Sequence, residues 1–327
     1  MRNLAFDDLA RLVRTREELL QEGWSSREID RTGPGAPLRR VHRNRYVALP
    51  AWSELWPETR HRIEVYAATS EMRGGAGVVS HLSAAAWWGL PLFRRTPVEV
   101  QFTTTGGLRA ATRSGIRRHL DRLDLIDVVA LHGVRCTSLE RTVLDVARSE
   151  RAEVAIVCLD AALRIASHPG ERWDAAAEAA WRTRMTERAR DLSGARGIRQ
   201  ARWLIDLAEG RAQSPGESVS RLQLTRLGFA RPLVQVAVPG PAERTYWVDL
   251  GLADARAFGE FDGKDKYLDE ALRSGRTVEE VLLAEKARED WIRGRTQWRF
   301  ARWGDEHIGT PEALRDRLAA FGIRPHV

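Results

Sequence analysis

Tyr246-Trp247-Val248-Asp249-Leu250-Gly251-Leu252, a short turn around Asp254, and Ala257-Phe258-Gly259-Glu260-Phe261-Asp262-Gly263-Lys264 decide the fold of the second half of the chain. Both runs have the apolar content and length of half-buried strands, and the short turn makes them a hairpin. Strand side chains alternate in direction, so Glu260, Asp262 and, if the strand persists, Lys264 fall on one face at steps of about 6.6 Å. Carboxylates flanked by Trp247, Val248, Leu250 and Phe258 lose hydration and repel one another unless a cation compensates. Mg²⁺, or Mn²⁺ in its place, takes one or two carboxylates together with waters and substrate phosphates, and Asp249, Glu260 and Asp262 are the candidate ligands. A nearby ammonium offsets charge at a phosphate in the transition state, and Lys264 is the closest one. Asp262-Gly263 also reads as a turn signal, which leaves Lys264 in a loop.

Around this hairpin, Ser214-Pro215-Gly216-Glu217 opens a helix that runs to Leu227 and closes at Gly228. Val234 to Val238 reads as a strand, Val278 to Arg293 as a helix and Trp298 to Trp303 as a last strand. The expected order is helix, three strands, helix, strand. Pro215-Gly216-Glu217, Val248-Asp249 and Gly259-Glu260-Phe261-Asp262-Gly263-Lys264 resemble the PD-(D/E)XK restriction-endonuclease-like superfamily, in particular the branch similar to very-short-patch-repair endonucleases. The likeness takes in Glu285-Lys286-Ala287-Arg288-Glu289-Asp290 and Arg302-Trp303. It implies an α/β endonuclease-like domain with Asp249 and Glu260 on the metal, Glu217 assisting, and hydrolysis of DNA phosphodiesters in phage defence or repair. The lysine of that family sits two residues after the acid, where this chain has Asp262. Either Lys264 supplies the ammonium, or Asp262 joins the metal shell, or the site is degenerate. By its position alone, Glu217 equally suits the helix macrodipole.

The first half has another rhythm. Thr15 with Glu18 and Ser25 with Glu28 have the spacing of capping boxes, so two short helices start near residues 16 and 26. Leu38 to Val41 and Tyr46 to Leu49 then suggest a hairpin with Arg43-Asn44 near its turn. This is the pattern of a helix-turn-helix with a basic wing. Arg27 and Arg31 would face a major groove, and Arg39, Arg40, Arg43 and Arg45 would meet phosphates or the minor groove. Further on, Ser80 to Pro91 reads as a helix ended by Gly and Pro, Pro97 to Thr103 as a strand, and Ser138 as the N-cap of a helix carrying Leu139, Val143 and Val146 on one face. With Ser80-His81-Leu82-Ser83-Ala84 and Thr137-Ser138-Leu139-Glu140-Arg141-Thr142-Val143-Leu144-Asp145, this half resembles the AbiEi antitoxin family. That likeness implies a winged-helix repressor of double-stranded DNA with a cognate nucleotidyltransferase-like toxin as partner, and no catalysis. His81 reads as a packing or capping residue and Trp87-Trp88 as core.

The expected organisation is an α+β first half with a winged helix, followed by the α/β endonuclease-like part. Residues 1–57 form the winged helix, 58–165 an α/β domain, 166–210 a helical connector, 211–305 the endonuclease-like domain and 306–327 a C-terminal tail. The 327 residues carry 43% hydrophobic side chains, enough for real cores and too many for a disordered chain. Apolar runs fall short of a bilayer span, the first residues lack an apolar leader, and a cytoplasmic location is expected. Cys136 and Cys158 read as buried thiols. The formal charge is +7, from 52 basic against 45 acidic residues, and 49 of the 52 are Arg. GC-rich coding produces such an excess unaided, so clustering carries more than the sum. Residues 1–50 hold 10 Arg and 7 acids, a net of only +3. The three lysines, Lys264, Lys266 and Lys286, all fall between residues 264 and 286, and two of them lie within six residues of Glu260.

Overall fold

A computed structural model describes residues 5–70, 72, 77–104, 115–168, 173–263 and 277–326. The chain divides into two compact units, one of residues 1–162 and 183–202, the other of 163–182 and 203–327. It is a mixed α/β structure.

The first unit opens with helices α1 (Phe6–Leu12), α2 (Arg16–Gln21) and α3 (Ser26–Ile29), followed by strands β1 (Leu38–His42) and β2 (Arg45–Ala48). Both expected capping boxes are present: the Thr15 and Ser25 hydroxyls accept from the Glu18 and Glu28 amides, and the two carboxylates accept from the cap amides in return. The β1–β2 turn is tight because Asn44 takes a left-handed conformation, with φ of 53°, which its side chain tolerates better than most. Leu19, Ile29, Leu38 and Tyr46 make a small core beneath the hairpin. Asn44 Oδ1 also accepts from the Arg16 amide at 3.1 Å, fixing the turn to α2.

Beyond α4 (Leu49–Ser53) and α5 (Pro57–Thr69), five strands form one sheet: β3 (Val78–Val79), β4 (Val100–Thr104), β5 (Ile116–Leu120), β6 (Val128–Leu131) and β7 (Val134–Thr137). Their order is β5-β4-β3-β7-β6. Helix α6 (His81–Trp87) is buried along its whole length, as its run of alanines and Leu82 dictates, and packs with Val79, Val100, Phe102 and Cys136. Helix α7 (Leu139–Ser149) starts at Ser138, whose hydroxyl accepts from the Arg141 amide. Cys136 and Cys158 are both buried, and burial pushes each thiol up to about 12. The helices α8 (Ala152–Ser167), α9 (Ala175–Asp191) and α10 (Ile198–Leu207) follow, with interruptions at Ser193-Gly194 and Gly197 where the sequence places them.

The second unit continues with α11 (Pro215–Arg226), β8 (Leu233–Pro239), β9 (Thr245–Leu252), β10 (Ala257–Phe261), α12 (Val278–Thr296) and β11 (Arg299–Trp303). Helix, three strands, helix, strand is the order read from the sequence. The sheet order is β11-β10-β9-β8, with β8, β9 and β10 an antiparallel meander and β11 parallel to β10. A parallel neighbour needs a crossover, and α12 lies within it. Glycine is required at position 259, because a Cβ there would meet the Trp303 ring at 2.1 Å. Trp303 reaches over that gap and donates from Nε1 to Ser220 Oγ at 2.7 Å, tying β11 to α11. The closing residues are folded: α13 (Pro311–Ala319) packs on α11 and buries Leu314 and Leu318. No helix among the described residues is long and apolar enough to cross a membrane.

Candidate functional site

Asp249 and Glu260 are brought together by the meander. Leu250 pairs with Gly259 in the β9–β10 register, so Asp249 and Glu260 stand one step further along adjacent strands. Asp249 Oδ2 accepts from the Phe261 amide at 3.1 Å, and both carboxylates line a cavity of about 580 Å³ with Trp247, Arg211 and Arg288. The Glu260 side chain is only 2% exposed. Its Oε1 accepts from Arg288 Nη2, and its Oε2 lies 2.8 Å from Arg302 Nη2, near enough for charge pairing but without hydrogen-bond alignment. Burial holds the Glu260 carboxyl above its ordinary value, Arg288 and Arg302 pull it back down, and Asp249 pushes it further up.

Arg288 and Arg302 reach Glu260 for separate reasons. The parallel register sets Arg302 directly beside Glu260. Arg288 comes from α12, where the i,i+3 pair with Glu285 at 2.7 Å and a bond to the Trp247 carbonyl orient its guanidinium. Arg302 is the hub: besides Glu260 it pairs with Asp262 at 3.2 Å, with Glu289 at 2.9 Å and with Glu285. Surrounded by carboxylates, Arg302 and Arg288 are both held above the ordinary arginine value despite burial.

The remaining expected residues separate. Glu217 is buried but does not line the cavity: its Oε2 accepts from the Gln213 amide and its Oε1 from the Ser214 hydroxyl, both at 2.9 Å. It closes the N-terminus of α11. Asp262 follows β10 and faces Arg302. Lys264 and Lys266 lie outside the described residues, and Lys286 is exposed on α12. Sequence reasoning quoted Arg288 and Arg302 but gave them no role; the signal was the spacing of Glu285, Arg288 and Glu289 on one helix face.

These surroundings fit a divalent cation poorly. Both Glu260 oxygens face guanidinium groups, Asp262 is paired to Arg302, and no group of three or more His, Cys, Asp or Glu side chains among the described residues is placed to hold a metal ion. The charge that a metal would neutralise is met by arginine.

In the first unit, Arg27 on α3 and Arg31 just after it are exposed, as are Arg39, Arg40 and Arg43 on the hairpin, and Arg45 is half-buried against the Ser70 hydroxyl at 3.1 Å. Strand alternation splits the adjacent pair. Arg39 lies 5.9 Å from the centroid of the Trp52 ring, and Arg40 bonds the His42 carbonyl and adds to the charge that depresses Asp30. Arg16 grips Asp30 with two hydrogen bonds of 2.6 and 2.9 Å, which offsets the charge of that exposed acid. Arg27, Arg31 and Arg43 form no ion pair with described residues. Helix α3 is four residues long, about 6 Å, which is one turn rather than a helix able to follow a groove.

No family model matches the chain. It is similar to two curated proteins of Mycobacterium tuberculosis, "Uncharacterized protein MT2308" of strain CDC 1551 / Oshkosh and "Uncharacterized protein Rv2248" of strain ATCC 25618 / H37Rv, each 29% identical over 201 residues. The match takes in 60% of this chain and 66% of each relative.

Proposed function

We propose that the chain is a DNA-binding protein of repressor or antitoxin type, whose second unit carries a nuclease-like frame with an ion-paired, non-catalytic site. The observation that carries DNA binding is the set of exposed arginines around the hairpin, three of them without an ion pair to described residues. Planar guanidinium forks left free in this way suit phosphate oxygens and guanine edges. With α3 only one turn long, the hairpin arginines supply most of the contact, and binding is dominated by phosphate neutralisation. The non-catalytic part rests on Glu260, whose carboxylate is committed to Arg288 and Arg302. The resemblance to AbiEi antitoxins adds a nucleotidyltransferase-like toxin as the expected protein partner.

The test is a mobility shift and footprint on the protein's own promoter at several salt concentrations. Arg39→Ala with Arg43→Ala is expected to weaken binding and reduce the salt slope by about 2. No shift at low salt overturns the reading. A second reading, a Mg²⁺- or Mn²⁺-dependent endonuclease, is favoured by Asp249 and Glu260 lining one cavity. Plasmid incubated with either metal separates the two: cutting abolished by Asp249→Ala and Glu260→Ala establishes the nuclease, and intact plasmid supports the ion-paired site.

A further inference from the structure

A second cavity lies wholly within the first unit, away from the hairpin arginines. It measures about 740 Å³, within the range of small-ligand sites, and lies over the edge strand β5 and helix α7. Two histidines from distant parts of the chain meet in its wall. The His81 and His119 rings stack at 3.6 Å between centroids and 13° between planes. His81 holds a left-handed backbone, with φ of 54°, a strained state for a residue that is not glycine. His119 Nε2 is shielded from solvent and has no hydrogen-bond partner among the described residues.

The charges around the pair are unevenly satisfied. Asp121 and Asp145 face the cavity, but Arg141 already binds them at 2.8 and 3.0 Å, and Glu150 is bound by Arg95 at 3.1 Å. Arg148 lies at 3.6 Å from both Asp121 and Asp145. Arg117 and Arg196 line the same space, are exposed, and form no ion pair with described residues. Burial first, then the neighbouring histidine and arginines, pushes His81 down to about 3, and burial and Arg117 lower His119. Both imidazoles are therefore neutral at physiological pH; His81 Nδ1 is already paired with Ser80 Oγ at 3.0 Å, which leaves the Nε2 atoms of the two rings to meet a ligand. The acids of the cavity are consumed internally, and two guanidiniums are left over.

From this arrangement we infer that the cavity binds a phosphoryl group, with Arg117 and Arg196 meeting its charge and the His81–His119 pair its oxygens. The shared chemistry is a phosphate dianion with oxygens that accept from fixed donors. Its source is either free phosphate or the 5′-phosphate of a mononucleotide, for which a cavity of this size also has room for the sugar and base. Neither source depends on DNA binding at the hairpin.

The experiment is calorimetry of the full chain with inorganic phosphate and, separately, with adenosine 5′-monophosphate and adenosine. Wild type is expected to bind one or both phosphates and to ignore adenosine. Tighter binding of the nucleotide identifies it as the source, and equal binding identifies the phosphate alone. Arg117→Ala with Arg196→Ala, both surface changes, is expected to weaken binding at least tenfold while leaving the circular dichroism spectrum and the mobility shift intact. His119→Gln, observed together with the ring resonances of His81, keeps the test independent of the arginines: phosphate is expected to shift those resonances in wild type. No binding of either phosphate at millimolar concentration, unchanged affinity in the double arginine variant, or equal binding of adenosine overturns the assignment.

Discussion

Replacing Arg302 with methionine tests the charge balance of the second unit directly. Arg302 is 19% exposed at its side chain and stands beside four carboxylates, of which Glu260 is 2% exposed. Methionine keeps the stem and removes the charge, which leaves Glu260 with Arg288 alone. Removing one partner of a buried pair costs about 3–5 kcal/mol. At about 1.4 kcal/mol per decade, local opening of β10 and β11 becomes about 100- to 4000-fold more frequent. Amide hydrogen exchange read by mass spectrometry over those two strands measures this without assuming that both units unfold together. The sign with pH follows from Glu260, whose folded value is raised above its unfolded one. A raised carboxyl penalises the folded state above its folded pKa, and the penalty is relieved as pH falls through that value toward the unfolded one. Loss of Arg302 raises it further, so the deficit of the variant narrows as pH falls toward the ordinary glutamate value. Adding Glu260→Gln removes the stranded charge, and the double variant is expected to be more stable than Arg302→Met alone. Protection within a factor of ten of wild type, or strictly additive substitutions, refutes the reasoning.

Three further outcomes are expected. Gly259→Ala puts a Cβ 2.1 Å from the Trp303 ring and costs about 1–3 kcal/mol or more, measurable by urea unfolding together with loss of the Trp303–Ser220 bond. Ser214→Ala removes the hydroxyl that caps α11 and binds Glu217, costing about 1 kcal/mol in the same assay, with no effect on any plasmid-cutting activity. Asp145, buried beside Arg141 and raised to about 6, is expected to titrate by carbonyl NMR near that value, and its contribution to stability grows as pH falls from above 6 toward the ordinary aspartate value.

Local chemistry was legible and long-range pairing was not. Capping boxes at Thr15 and Ser25 and the Ser214 start of α11 are set by three- or four-residue spacings, and each is present. Strands β8 to β10 follow from apolar alternation between turn residues, and Asp249 and Glu260 meet because a hairpin register is itself local. Arg302 beside Glu260 depends on a parallel register closed through α12, which no short window encodes. Glu217 satisfied two physical roles equally until its oxygens proved to be occupied by the cap. Length misled at α3: the Ser25 box marks where a helix starts and says nothing of its end one turn later. His81 and His119 lie on different elements and share no motif, so their stacking was beyond sequence reasoning.

The parallel pairing of β10 with β11 also sets an order of assembly. The antiparallel meander closes through short turns, so β10 gains its β9 neighbour early, whereas Arg302 lies about 40 residues downstream of Glu260. On a ribosome adding roughly 5–20 residues per second, Glu260 waits about 2–8 s for that partner. During the wait its carboxylate sits at an open sheet edge in water, where charge is cheap and where it also discourages edge-to-edge pairing with another nascent chain. Docking of β11 then buries the carboxylate and adds Arg302 to the counter-charge that Arg288 on α12 brings. A carboxylate that is costly to bury alone thus guards the sheet edge until the last strand arrives.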